Sequence, residues 1–159
     1  MRKYTLIKLL ENKQTDYEFS WGTWPLHLTL VDDFFIDLNE PEFHKKLKEL
    51  LAGQQPVKTV AQNDDLMGPS KDTPVTIIKT TPELMSLHNK LIGLLEKYGA
   101  PLVSPEFAQG GFRPHVTIQR KHRLHSGDKV AVDAISIVDM QPNGDTSRRK
   151  LLGTINLPL

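Results

Sequence analysis

A short pattern that occurs twice limits what this chain can fold into more than any other feature. Pro25-Leu26-His27-Leu28-Thr29-Leu30-Val31 in the first half is matched by Arg113-Pro114-His115-Val116-Thr117-Ile118-Gln119-Arg120 in the second. Both read His-apolar-Thr-apolar behind a proline, and both alternate with a period of two. That period marks a half-buried strand, in which residues i and i+2 share a face. Leu28 with Leu30, and Val116 with Ile118, can pack on a core. His27 with Thr29, and His115 with Thr117, then project together from the other face. Two such strands facing each other across one cleft would hold two imidazoles and two hydroxyls.

The other histidines serve as a control. Two residues after His44, His88, His122 and His125 come Lys46, Lys90, Leu124 and Gly127, so only the two strand-like segments carry His-x-Thr. One copy is an ordinary strand; the matched pair points to a shared site. Imidazole titrates near pH 6.5, so one ring can serve as base and the other as acid in opening a phosphodiester. Hydroxyls from Thr29 and Thr117 can hold the non-bridging oxygens. Arg113 and Gln119 share the strand face of His115, which makes Arg113 a candidate contact for phosphate or base. Trp24, just before the first motif, packs in the core or stacks on a base, as does Trp21. Phe112 reads as a core residue or loop anchor first and, near the mouth, as a substrate-stacking candidate second.

With these residues in view, the chain resembles the 2H phosphoesterase superfamily, which includes bacterial 2'-5' RNA ligase-like proteins and 2',3'-cyclic nucleotide phosphodiesterases. His27-Leu28-Thr29-Leu30 and His115-Val116-Thr117-Ile118 match its two His-x-Ser/Thr-x motifs. Phe112-x-Pro114-His115-x-Thr117-x-x-Arg120 is similar to the surround of its second motif. The resemblance covers nearly the whole chain. It implies two β-lobes with helices outside and a central groove lined by the motif strands. It implies His27 and His115 as catalytic, and it adds Arg120 as a basic position although a regular strand would turn that residue away. The run Val31-Asp32-Asp33-Phe34-Phe35 departs from relatives that carry prolines there. It sets a negative pair near the cleft mouth, which bears on substrate choice.

Length and composition bound the rest. A chain of 159 residues, with 38% hydrophobic and 25% charged content, is expected to form one domain over 1–159. The absence of cysteine excludes disulfides, thiolate nucleophiles and Cys-based zinc sites. Neither motif histidine has a carboxylate at a ligand spacing, so no metal and no cofactor are expected. The N-terminus lacks an apolar stretch of signal-peptide length and no run approaches a membrane span, which makes the cytosol the expected compartment. A net charge of +1 argues against coating nucleic acid or gripping a DNA duplex. A small nucleotide or an RNA end with a cyclic phosphate is the expected partner, and the protein is expected to be a monomer.

Along the chain, strands are expected at Tyr4 to Leu10, at the first motif, at Pro56 to Ala61, at Thr73 to Thr80, at the second motif, at Lys129 to Met140 and at Lys150 to Leu157. Asn39, Pro41 and Glu42 open a helix that Gly53 ends, and Thr81-Pro82-Glu83 opens another that ends at Gly99. Residues 11–22, 62–70 and 100–112 read as loops, the last a rim over the cleft. Asp64-Asp65 reads as solvated surface, His44 as solvated and His88 as packing. Asn143-Gly144 signals a hairpin. About seven strands and two helices make an α+β fold with mainly antiparallel sheet.

Three activities fit this reading. The first is metal-independent opening of 2',3'-cyclic phosphates. The second is reversible 2'-5' RNA ligation, the same chemistry with a ribose hydroxyl replacing water. The third is nucleotide or RNA-end binding without catalysis.

Overall fold

The computed structural model describes residues 1–158. In chain order its elements are β1 (Arg2–Leu9), β2 (Glu18–Ser20), β3 (His27–Ile36), α1 (Glu40–Leu50), β4 (Val57–Met67), β5 (Thr73–Ile78), α2 (Pro82–Lys97), β6 (His115–Thr117), β7 (Lys129–Val132), β8 (Ala134–Asp139) and β9 (Arg148–Asn156). The strands form two antiparallel sheets, one in the order β2-β9-β8-β1-β3 and one in the order β6-β5-β4-β7. The two motif strands are therefore edge strands, one from each sheet, and β3 packs beside β6. This is the α+β, two-lobed architecture the alternation and the resemblance implied.

The helices form where their caps say. The Asn39 side chain accepts from the Glu42 backbone N–H at 3.1 Å, and the Thr81 hydroxyl accepts from the Leu84 N–H at 3.1 Å. Each cap satisfies one of the first-turn donors that a helix leaves unpaired, worth about 1 kcal/mol. Past each helix end, Gly53 and Gly99 take the left-handed conformation at φ 78° and 61°, where a side chain would be strained. α2 buries Leu84, Leu87, Leu91 and Leu95 against β3 and β4, and α1 buries Phe43 and Leu47. Leu28, Leu30 and Val116, the apolar faces of the motif strands, lie in that same core. Fully burying a leucine stabilises the fold by about 1.5–3 kcal/mol, which fixes the outward face of His27 and Thr29.

Three expectations are corrected. The 62–70 segment is mostly strand: β4 runs on to Met67 and pairs Asp64 and Asp65 with Thr76 and Val75. The expected run Lys129 to Met140 breaks at Asp133, so β7 joins one sheet and β8 the other. The expected loop 11–22 holds the short strand β2. β3 also contains two register shifts against β1, between Tyr4 and Ile7. Two extra residues restore the two-residue parity, so Phe34 and Ile36 bury on the same side as Leu28 and Leu30.

Candidate active site

His27 opens β3 and His115 opens β6, and the two rings are held in the same way. The His27 Nδ1–H donates to the Pro25 carbonyl at 2.8 Å, and the His115 Nδ1–H donates to the Arg113 carbonyl at 2.9 Å. A carbonyl facing Nδ1 fixes the tautomer: the proton sits on Nδ1 and the neutral ring keeps its lone pair on Nε2. The backbone two residues upstream thus orients each imidazole. Trp24 stacks on the His27 ring with centroids 4.6 Å apart and leans its other side on Phe19 at 5.0 Å. Gln119 donates to the Trp24 carbonyl at 2.8 Å, a bond that ties the strand end after the second motif to the residues before the first.

Burial pushes the His27 imidazole below its ordinary range, the Pro25 carbonyl opposes this, and charge on His115 adds to the depression. The rings are thus close enough to feel each other's charge. Asp32, exposed on β3, is also within electrostatic reach of His115. Its neighbour Asp33 turns away: its carboxylate accepts from the Thr5 hydroxyl at 2.6 Å and lies 3.8 Å from Lys3. Of this acidic pair, Asp33 is engaged by Thr5 and Lys3, and Asp32 is the one within electrostatic reach of His115.

His27, Trp24, Thr117, Gln119 and Arg120 line one pocket of about 780 Å³, within the range of small-molecule sites. β6 ends at Thr117, which frees Arg120 from strand alternation and brings it to the wall. Thr29 and His115 lie outside that wall, each two residues from a lining residue on the same strand face. Arg113, the candidate phosphate or base contact, is half exposed and ion-paired with Asp65 on β4. Phe112 is an anchor rather than a platform for a base, stacked on His88 at 3.9 Å with planes 5° apart. The acidic pair expected in open solvent holds both flanks of the second motif, since Asp64 also binds Arg123 at 2.7 Å. His44, expected to be solvated, is partly buried against Glu40 at 3.2 Å. Among the described residues, no three or more His, Cys, Asp or Glu side chains gather as a metal would require. No helix of the structure is long and apolar enough to cross a membrane.

Sequence reasoning missed the most connected of these residues. His88 on α2 is 1% exposed. Its Nδ1–H donates to the Leu30 carbonyl on β3 at 2.7 Å, and its Nε2 accepts from the Gln109 N–H at 2.9 Å. Gln109 carries φ 53°, a left-handed bend costing a non-glycine residue roughly 1–2 kcal/mol, and the bond to His88 holds it there. One imidazole thereby braces both motifs, through the β3 backbone and through the turn ahead of β6. Burial lowers its proton affinity despite the Leu30 carbonyl, and a second proton would break the Gln109 bond. The sign follows: below about pH 6.5 the unfolded histidine takes a proton that the native ring refuses, so stability falls with pH from there down to the depressed native value. His88→Gln should be less stable at pH 7.5 and should lose less between pH 7.5 and 5 than the wild type does. Thermal midpoints at the two pH values check this; parallel losses would show that His88 does not carry the acid sensitivity.

Several solved structures share the fold. One described as a phosphoesterase is 16% identical, with 99% of each chain covered and a TM-score of 0.58. Escherichia coli LigT complexed with 3'-AMP is 18% identical, with 99% of this chain and 98% of that chain covered and a TM-score of 0.56. A protein of Thermus thermophilus is 20% identical over the same shares, with a TM-score of 0.54. No curated protein sequence matches significantly. The family model of the 2'-5' RNA ligase superfamily matches residues 10–138, spanning both His-x-Thr strands and the pocket between them, and the chain belongs to that superfamily.

Proposed function

We propose that this protein is a metal-independent phosphodiesterase that opens the 2',3'-cyclic phosphate of a nucleotide or an RNA end. The observation that carries this reading is the matched anchoring of His27 and His115 on adjoining edge strands, each with Nε2 left free and a threonine two residues on. His27, the ring that burial keeps neutral, takes the proton of the attacking water. The water oxygen bonds to phosphorus as the bond to one ribose oxygen breaks. His115, with the Asp32 carboxylate within electrostatic reach, gives that ribose oxygen its proton. The net change is one water added and one phosphate ester opened. Thr29 and Thr117 hold the non-bridging oxygens, whose charge persists through the transition state. LigT's complex with 3'-AMP supports a nucleotide as the ligand.

Ligation to a 2'-5' linkage is the second reading, favoured by the superfamily itself and by a pocket whose lining includes many residues outside the two motifs. A ribose hydroxyl then replaces water, and the same two rings exchange their protons. Assay of 2',3'-cyclic nucleotides and 2'-5'-linked dinucleotides, with product regiochemistry, separates the two.

Turnover of a 2',3'-cyclic nucleotide should persist in excess EDTA and follow a bell-shaped pH profile. The sign comes from His27: a depressed base stays neutral at lower pH, so the acid limb of kcat/KM should fall below about pH 6.5. The limbs belong to the coupled pair. A flat profile through the imidazole range, or loss in EDTA reversed by zinc, would overturn the mechanism.

A further inference from the structure

The pocket holds more than the chemistry uses. Besides His27 and Thr117, its wall carries Trp21, Tyr17 and Lys13 from the β1–β3 connection. Trp21 is 67% exposed and Tyr17 is 38% exposed. Trp24, three residues on, shows how this chain treats a tryptophan used for packing: it is wedged between Phe19 and His27.

Trp21 is presented by rigid backbone. It follows β2, which β9 pairs, and its N–H donates to the Ser147 carbonyl at 3.1 Å. The next residues close a turn in which the Thr23 N–H donates to the Ser20 carbonyl at 3.0 Å, with the Ser20 and Thr23 hydroxyls 2.9 Å apart. The indole is thus held in water at the corner of a pinned turn. Charge surrounds it with one sign left over. The Lys13 ammonium sits over the Tyr17 ring at 4.7 Å, and Arg120, also exposed, lines the same pocket. The one acid of the pocket, Glu11, is engaged, accepting from the Leu26 N–H at 3.0 Å and lying 3.6 Å from His122.

We propose that Trp21, Tyr17, Lys13 and Arg120 form a second subsite for the nucleotide adjoining the one that bears the cyclic phosphate. The rings stack its base, and the two cations meet the linking phosphate. Stacking is indifferent to base identity because every base offers a π-face, so this subsite selects chain length rather than sequence. A membrane surface would also attract exposed aromatic and basic groups, but these share a concave wall with His27, which a flat bilayer does not reach. The inference rests on the phosphodiesterase reading for its choice of substrate.

The test compares a 2',3'-cyclic mononucleotide with a dinucleotide ending in the same cyclic phosphate. Wild type should favour the dinucleotide in kcat/KM, and varying its 5' base should change little. Trp21→Ala should collapse the dinucleotide-to-mononucleotide ratio by about 5- to 150-fold, the range for one lost stack, while Trp21→Phe keeps most of it. A wild type without preference, or equal losses on both substrates in Trp21→Ala, would overturn the subsite while leaving the phosphodiesterase standing. Equilibrium binding of a dinucleotide 3'-monophosphate supplies a readout that needs no turnover. If the wild type turns over neither substrate yet binds the dinucleotide more tightly than 3'-AMP, and Trp21→Ala abolishes that difference, the subsite stands and the hydrolase reading falls.

Discussion

His27→Ala and His115→Ala should each lower kcat on a 2',3'-cyclic nucleotide by about 10²–10⁴-fold, the usual range for one acid or base group. Neither change should unfold the protein. Both rings lie on the outward face of an edge strand, and the packing that defines β3 and β6 comes from Leu28, Leu30 and Val116 on the other face. Removing the His27 ring also strips Trp24 of a stacking partner, so His27→Ala should cost slightly more stability. The double variant should be little worse than the worse single one, because a proton relay missing either member has already failed as a unit. Affinity for a non-hydrolysable nucleotide should survive in all three, since both threonines and Arg120 remain. Steady-state kinetics with equilibrium binding decides the matter. Unchanged turnover in either single variant would falsify the paired-histidine site; lost affinity without a kcat effect would make the protein a binder.

Gly111→Ala should be the most damaging small substitution outside the motifs. A β-carbon there would collide with the Glu106 carbonyl oxygen, and backbone cannot swing aside as a side-chain end can. The turns at Pro105–Phe107 and Gln109–Gly111 would have to separate. Phe112, stacked on His88, and His115 three residues further on would shift with them. Overpacking typically costs about 1–3 kcal/mol, and a displacement of about 1 Å at a reacting group costs on the order of 10²-fold in rate. Gly110→Ala is the matched control, with nothing within 4 Å of its added carbon. The expected pattern is a large drop in kcat/KM and a lower thermal midpoint for Gly111→Ala, with little change for Gly110→Ala. Identical behaviour of the two would mean that the close approach to Glu106 does not constrain the loop.

What the sequence revealed and what it hid divide by the distance over which each interaction acts. The helix starts were legible because Asn39 and Thr81 find their partners three residues on. The motif strands were legible because alternation is local and the core enforces it. β4 was read as ending at Ala61 because Asp64-Asp65 followed by Gly68-Pro69 looks like a turn. What lets the strand continue is Arg113 and Arg123, far along the chain, neutralising the acids on it. The break at Asp133 was hidden inside one apolar run; its partner is Lys8, at the opposite end of the chain, 2.7 Å away. His88 looked like packing because its two partners are backbone groups, which no residue letter announces. Arg113 became a substrate candidate on face alone, and its ion pair with Asp65 on another strand could not be read from the sequence.

The placement of the two motif strands at the rims of different sheets has a consequence for how the protein comes into being. Each sheet can complete its own ladders without the other, yet neither contains a usable half of the site. Contacts between β3 and β6 join residues from opposite halves of the chain, and such contacts form only after the intervening loop entropy has been spent. Only the meeting of the finished sheets, latched by Gln119 on Trp24 and by His88 on Leu30 and Gln109, assembles the candidate site. During refolding, recovery of turnover should therefore trail recovery of secondary structure.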